Sequence, residues 1–160
     1  MATKMKKASR CWKCGKAALT NSTFHAERKI GGQVFVAELP AEACTTCGER
    51  TVGGRELLAF DAAVAGELAR NGASSPDALQ FLRKSMALTA AELGELLELR
   101  PETISRIENG KMPADRRTVA LLGGLTLDHL AGRTETADRL RALAHPPKGR
   151  KRVEVKARVA

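Results

Sequence analysis

Four cysteines stand in two matching settings, Cys11-Trp12-Lys13-Cys14-Gly15 and Cys44-Thr45-Thr46-Cys47-Gly48. A two-residue gap lets both sulfurs of a pair approach one ion, while the backbone amides that follow relieve the thiolate charge. Two such pairs complete a tetrahedral shell for Zn2+. A closed shell leaves no position for an activated water, so the metal is expected to be structural rather than catalytic. The competing chemistry at these residues is thiol redox. It needs one exposed pair with a depressed thiol pKa, usually opening a helix in a thioredoxin-like setting, and two pairs on hairpin knuckles suit it poorly. His25 falls in a strand-like run and His145 in a Pro-rich segment; both read as surface histidines rather than ligands.

Something must bring the two pairs together across the 29 residues that separate them. Leu19 to Ile30 and Gln33 to Leu39 are rich in Thr, Val, Ile and Phe, and Gly31-Gly32 between them suits a tight hairpin turn. So small a module could hardly bury enough surface alone, and its folding should depend on the metal.

The second chemistry-bearing stretch runs from Leu79 to Leu122, LQFLRKSMALTAAELGELLELRPETISRIENGKMPADRRTVALL. Thr89-Ala90-Ala91-Glu92 has capping-box form and predicts a helix start at Thr89. Leu93, Leu96 and Leu97 give that helix one apolar face. Pro101 offers a second start, Ile104 and Ile107 an inner face, and Asn109-Gly110 a stop. Two short helices joined by a tight turn, the second exposing Thr103, Ser105 and Arg106, form a helix-turn-helix that presents a reading helix to the DNA major groove. The candidate DNA-contacting set is Arg100, Pro101, Glu102, Thr103, Ser105, Arg106, Asn109 and Lys111. Ser75-Pro76 should cap the preceding helix, with Leu79, Leu82 and Met86 buried, and Asp115 the following one.

The pattern L-R-x-x-x-x-L-T-x-x-E-L-x-x-L-L…T-I-S-R-I-E-N-G-K resembles the DNA-binding domain of phage repressors and xenobiotic-response-element regulators. The resemblance implies that Arg83 pairs with Glu108, and that Pro101, Glu102 and Arg106 lie at base edges. Arg106 is the foremost reader, because arginine bonds bidentately to guanine O6 and N7. Two positions depart from the pattern: a frequent phosphate-contacting glutamine is Ala90 here, and Glu102 places a negative charge near phosphate. Glu102 either accepts from a cytosine amine or simply favours the helix N-terminus. A helical bundle that binds protein is the alternative for the whole stretch.

The two halves together, C-x-x-C-G, hairpin, C-x-x-C-G-E (Cys44 to Glu49), then the repressor-like stretch, resemble the MqsA or YgiT type of antitoxin over roughly residues 11 to 130. That family implies the antitoxin of a type II toxin-antitoxin pair. Its zinc domain takes part in neutralising a small protein toxin, often an mRNA-cleaving ribonuclease, and its C-terminal domain dimerises and represses its own operon.

Across the 160 residues, 43% hydrophobic content allows packed cores, and 3% aromatic content makes them chiefly Leu, Ala and Val. No run approaches a membrane span, and the basic N-terminus MATKMKKASR lacks an apolar secretion stretch. The expected location is therefore cytoplasmic, where cysteines stay reduced and metal binding is favoured over disulfides. Net charge is +9, which points to a polyanionic partner. It is concentrated in residues 1–52 and 148–160, each +5, whereas residues 76–147 are neutral but polarised. Glu92, Glu95 and Glu98 lie on one helix or just after it; Arg100, Arg106, Lys111, Arg116 and Arg117 flank the reading helix.

The expected architecture is α+β: a small zinc-bound β-hairpin module over 1–52, a linker helix and hinge over 53–75, a five-helix repressor-like helix-turn-helix domain over 76–145 and a flexible basic tail over 146–160. The linker helix carries a stripe of Leu57, Phe60, Val64 and Leu68, to be covered by the neighbouring domain, a dimer partner or a toxin. Gly53-Gly54 and Gly72 to Ser75 read as hinges. Leu125, Leu127, Leu130, Leu140 and Leu143 are left for a two-fold homodimer interface, which would favour a palindromic operator in double-stranded DNA. The tail either tracks the DNA backbone or is a solvated terminus. The functional expectation is a non-enzymatic, DNA-binding repressor and antitoxin; the alternative is a stand-alone zinc-containing transcription regulator.

Overall fold

The computed structural model describes residues 10–146 together with Glu154. The expected basic tail over 146–160 lies outside the described residues except for Pro146 and Glu154. The chain forms a three-stranded antiparallel sheet followed by six helices, an α+β arrangement. The strands are β1 (Leu19–Ile30), β2 (Gln33–Cys44) and β3 (Arg50–Val52), in the order β1-β2-β3. The helices are α1 (Gly54–Arg70), α2 (Pro76–Ser85), α3 (Ala90–Leu97), α4 (Pro101–Glu108), α5 (Arg116–Leu130) and α6 (Glu135–Ala144).

β1 and β2 pair without a break from Ile30↔Gln33 at the turn to Leu19↔Cys44 at the knuckles. β2 therefore runs past the expected end at Leu39. Pro40 sits one residue beyond the β3 ladder, which reaches only Ala41, at the kind of edge position where a missing amide is tolerated. Alternation gives the hairpin an apolar face. Ala26, Ile30 and Leu39 are buried on it with Phe24, Phe35 and Ala37 beside them, while Val34 and Val36 on the other face stay exposed.

The stripe of α1 covers that face. Phe60, Val64 and Leu68 are buried and join Ala26, Ile30 and Leu39 in one apolar cluster with residues of α2, α3, α4 and α5. Of the three occupants considered for the stripe, the chain itself supplies the cover. Leu125 also differs from expectation. It is buried in this chain's own core, because α1 packs on α5 and enlarges the core beyond four helices. Leu130 and Leu143 do remain exposed, and Leu127 and Leu140 half-buried.

Local signals set the helix ends. Thr89 Oγ1 accepts from the Glu92 amide at 3.1 Å and the Glu92 carboxylate accepts from the Thr89 amide at 2.7 Å, the reciprocal capping box. Ser75 caps α2, Asp115 caps α5 with bonds from the amides of Arg117 and Thr118, and Pro101 opens α4. α6 has no buried residue; the network around Asp128 holds its start. Asp128 Oδ2 accepts from the Thr136 amide at 3.0 Å and from its hydroxyl at 2.5 Å, and Oδ1 accepts from Arg133 Nη2 at 2.8 Å.

Candidate metal centre and nucleic-acid interface

The two knuckles are built alike. In each, the first cysteine's amide donates to a carbonyl five residues on, Cys11 to Lys16 at 2.9 Å and Cys44 to Glu49 at 2.8 Å. A glycine amide then closes back on the cysteine carbonyl, Gly15 to Cys11 at 2.8 Å and Gly48 to Cys44 at 2.9 Å. Both glycines have φ near +70°, so a side chain at either would strain the knuckle. The hairpin register brings the knuckles face to face: Cys11 Sγ lies 3.7 Å from Cys47 Sγ, and Cys14 Sγ 3.6 Å from Cys44 Sγ. All four sulfurs fall within 4.8 Å of one another, so the four cysteines are positioned to hold one metal ion. The spacing passes a direct test, since sulfurs bound tetrahedrally at about 2.3 Å from one ion lie roughly 3.8 Å apart.

Hydrogen bonds around the sulfurs divide their acidities. The amides of Cys47 and Thr46 pull the Cys44 thiol down to about 6. At Cys47 the Glu49 amide also favours the thiolate, but burial and the three other sulfurs prevail and push the thiol up to about 12. Thiolates this close repel one another, and a cation lets all four ionise together. Lys13 Nζ bonds Glu49 Oε2 at 2.7 Å across the two knuckles. Nothing in the sequence announces this pair, 36 positions apart. His25 is distant from the sulfurs, pairing with Glu38 on the open face of the hairpin.

The second site is the α3 and α4 pair. Its frame is Arg83, whose Nε and Nη2 donate to the two Glu108 oxygens at 2.6 and 2.7 Å while Nη1 donates to the Leu88 carbonyl at 2.6 Å. The side chains are 11% and 7% exposed, so this bidentate pair is largely desolvated and fixes α4 against α2. The pairing implied by the repressor resemblance is present. The turn between α3 and α4 depends on Gly94: a Cβ there would stand 2.5 Å from the Leu99 carbonyl oxygen, whose residue's amide closes on Gly94 O at 2.8 Å. Gly94 is not among the residues that motif and capping pattern single out. Its signal was a glycine inside an otherwise apolar-periodic helix.

Ile104 and Ile107 turn α4 inward, leaving Pro101, Glu102, Ser105, Arg106 and Asn109 exposed along one stripe. Thr103 is half-buried at the edge of that stripe. Asn109 Nδ2 donates to Ser105 O at 2.7 Å and Oγ at 3.3 Å, so these two side chains are tied to each other. Arg100 and Lys111 are exposed at the two ends of α4, and Arg116 and Arg117 at the start of α5. Among the described residues, none of these four cations nor Arg106 takes part in an ion pair.

The family model of MqsA, the antitoxin component of bacterial toxin-antitoxin systems, matches residues 9–129. The chain belongs to the MqsA antitoxin family. The match takes in both knuckles and every element from β1 to all but the last residue of α5, leaving α6 outside. The combination read from the sequence, a four-cysteine module joined to the Arg83-framed helices, is thus a property of this MqsA-family chain as a whole. No curated protein and no solved structure matches it. Among the described residues, no helix is long and apolar enough to cross a membrane.

Proposed function

We propose that this MqsA-family chain is a zinc-stabilised, sequence-specific DNA-binding repressor that neutralises a small protein toxin of the ribonuclease class and autoregulates its operon from the cytoplasm. The observation that carries the DNA half is the exposed stripe of α4, flanked by Arg100, Lys111, Arg116 and Arg117, none of which forms an ion pair among the described residues. Such cations on one edge of a neutral domain are suited to phosphate, while Arg106 at the centre of the stripe is suited to a guanine edge. Pro101, Glu102, Thr103 and Ser105 complete the reading surface, with Glu102 either accepting from a cytosine amine or favouring the helix start. Asn109, bonded to Ser105, holds the last turn.

Zinc fits the knuckles because four thiolates at tetrahedral spacing select a soft ion and close its shell, giving a structural and not a catalytic centre. Leu130, Leu140 and Leu143, exposed or half-buried on α5 and α6, supply the homodimer surface. A two-fold dimer would present two copies of Arg106 to half-sites about 34 to 36 Å apart, hence a palindromic operator in double-stranded DNA.

The test is co-purification of the tagged protein expressed with its neighbouring reading frames. A stoichiometric small protein that is toxic when expressed alone, with protection of the chain's own promoter, is the expected result. Recovery of the dimer and promoter DNA without a second protein would make it a stand-alone zinc-containing regulator, and recovery of neither would overturn both halves.

A further inference from the structure

The tip of the hairpin sits against the start of α2. Gly31 N–H donates to Asp77 Oδ2 at 2.6 Å. A Cβ on Gly31 would stand 2.7 Å from Ser75 Oγ, so the turn approaches the helix cap more closely than a side chain at this position would allow. The other Asp77 oxygen accepts from Ser75 Oγ at 2.6 Å and from the Ala78 amide at 3.0 Å. One carboxylate therefore closes both the hairpin turn and the first turn of α2. Three residues back, Arg28 Nε and Nη2 donate to Asp61 of α1 at 2.9 and 3.3 Å. Ala26 and Ile30, beside these polar contacts on β1, are buried in one cluster with Phe60, Val64 and Leu79. α2 in turn carries Arg83, which grips Glu108 at the end of α4.

We propose that this hairpin-tip latch makes the knuckles and the helices one cooperative unit, so that an ion held by the four cysteines stabilises α4 from the far end of the hairpin. That end is roughly 36 Å away along β1, at about 3.3 Å per residue. A ligand bound only by the folded state stabilises everything that unfolds with its site and nothing that unfolds separately. With free hinges at Gly53-Gly54 and Gly72 to Ser75, the ion would stabilise the knuckles alone; with the latch closed it stabilises the helices too. The metal's presence rests on the proposed zinc centre, whereas the latch stands on the contacts just described.

The experiment is thermal unfolding of the full chain, zinc-loaded and chelator-stripped. Trp12, 72% exposed beside Cys11, reports the knuckles by fluorescence, and far-UV ellipticity reports the helices. The expected result is coincident transitions with zinc and a helix midpoint lowered by roughly 10 °C on stripping. In Arg28→Ala/Asp77→Ala, where Ser75 still caps α2, the two probes should separate and the helix midpoint should become insensitive to zinc. A helix midpoint that ignores zinc in the unaltered chain while Trp12 responds would overturn the latch and leave the metal centre intact. So would a double variant as zinc-sensitive as the parent. If Trp12 and the thiols ignore zinc, the metal reading fails instead, and coincidence of the two probes still decides the latch. If the double variant does not fold, the parent's two transitions give the same decision.

Discussion

Arg83 shows how much one side chain can determine here. Its three donors fix the end of α2, the Leu88 carbonyl and the end of α4, so its loss would leave Glu108 buried and unpaired. Arg83→Ala should destabilise the chain by about 3 to 5 kcal/mol, read as a fall in denaturant midpoint, because breaking a desolvated pair costs more than the pair is worth. Arg106 is the opposite kind of residue, exposed and in no ion pair among the described residues. Arg106→Ala should leave that midpoint unchanged and lower affinity for the native operator by about 1 to 3 kcal/mol, with a smaller effect on unrelated DNA. Equal losses on both DNAs would show that Arg106 touches phosphate and not a base. Gly94→Ala places a Cβ against backbone that cannot swing aside. A loss of about 1 to 3 kcal/mol, accompanied by weaker operator binding, is expected from calorimetry and gel shift run side by side.

At the scale of elements, α6 has no buried residue, unlike the other described helices, and its start is docked by the Asp128 carboxylate. Asp128 is held down at about 2 by the Thr136 hydroxyl first, then by Arg133 and the Thr136 amide. Its folded pKa lies below the ordinary 3.8, so the folded state holds its proton less tightly than the unfolded chain. Its contribution is then complete above about 4 and is lost as pH falls through about 2. Hydrogen exchange should show α6 amides losing protection across that window, and Asp128→Asn should remove the pH dependence of α6 while weakening its docking at neutral pH. The start of α5 offers another element-scale test. If Arg116 and Arg117 contact phosphate, replacing either by alanine should reduce the slope of log affinity against log salt by about 1, uniformly across sequences.

For the whole molecule, the register of one hairpin decides most of the arrangement. Twelve continuous pairs carry the knuckles at one end and the Gly31 turn at the other, so the same two strands align four sulfurs and reach the cap of α2. The apolar face between those ends is covered by α1, which passes the packing on to α5 and α2. If the latch holds, removing an ion from the four cysteines should be felt across the whole molecule. Chelation should release four titratable thiols and, through the latch, lower operator affinity measured at fixed salt; unchanged affinity after complete thiol release would separate the two ends of the chain.

The sequence by itself determined the features whose physics is local. Thr89 with Glu92, Ser75, Pro101, Asp115 and Asn109 fixed the helix ends, because caps act within one turn. The C-x-x-C-G pairs fixed the knuckles, because cysteine spacing and a left-handed glycine act within five residues. The family resemblance added the Arg83 to Glu108 pair, 25 positions apart, which spacing alone could not supply. Only the tertiary structure decided that α1 covers the hairpin, that Leu125 belongs to the core, that Gly94 sits under the Leu99 carbonyl and that Asp77 closes on Gly31. An amphipathic stripe or a carboxylate specifies that it must be covered or paired; which of several chemically adequate partners arrives is fixed by the packing of the whole chain.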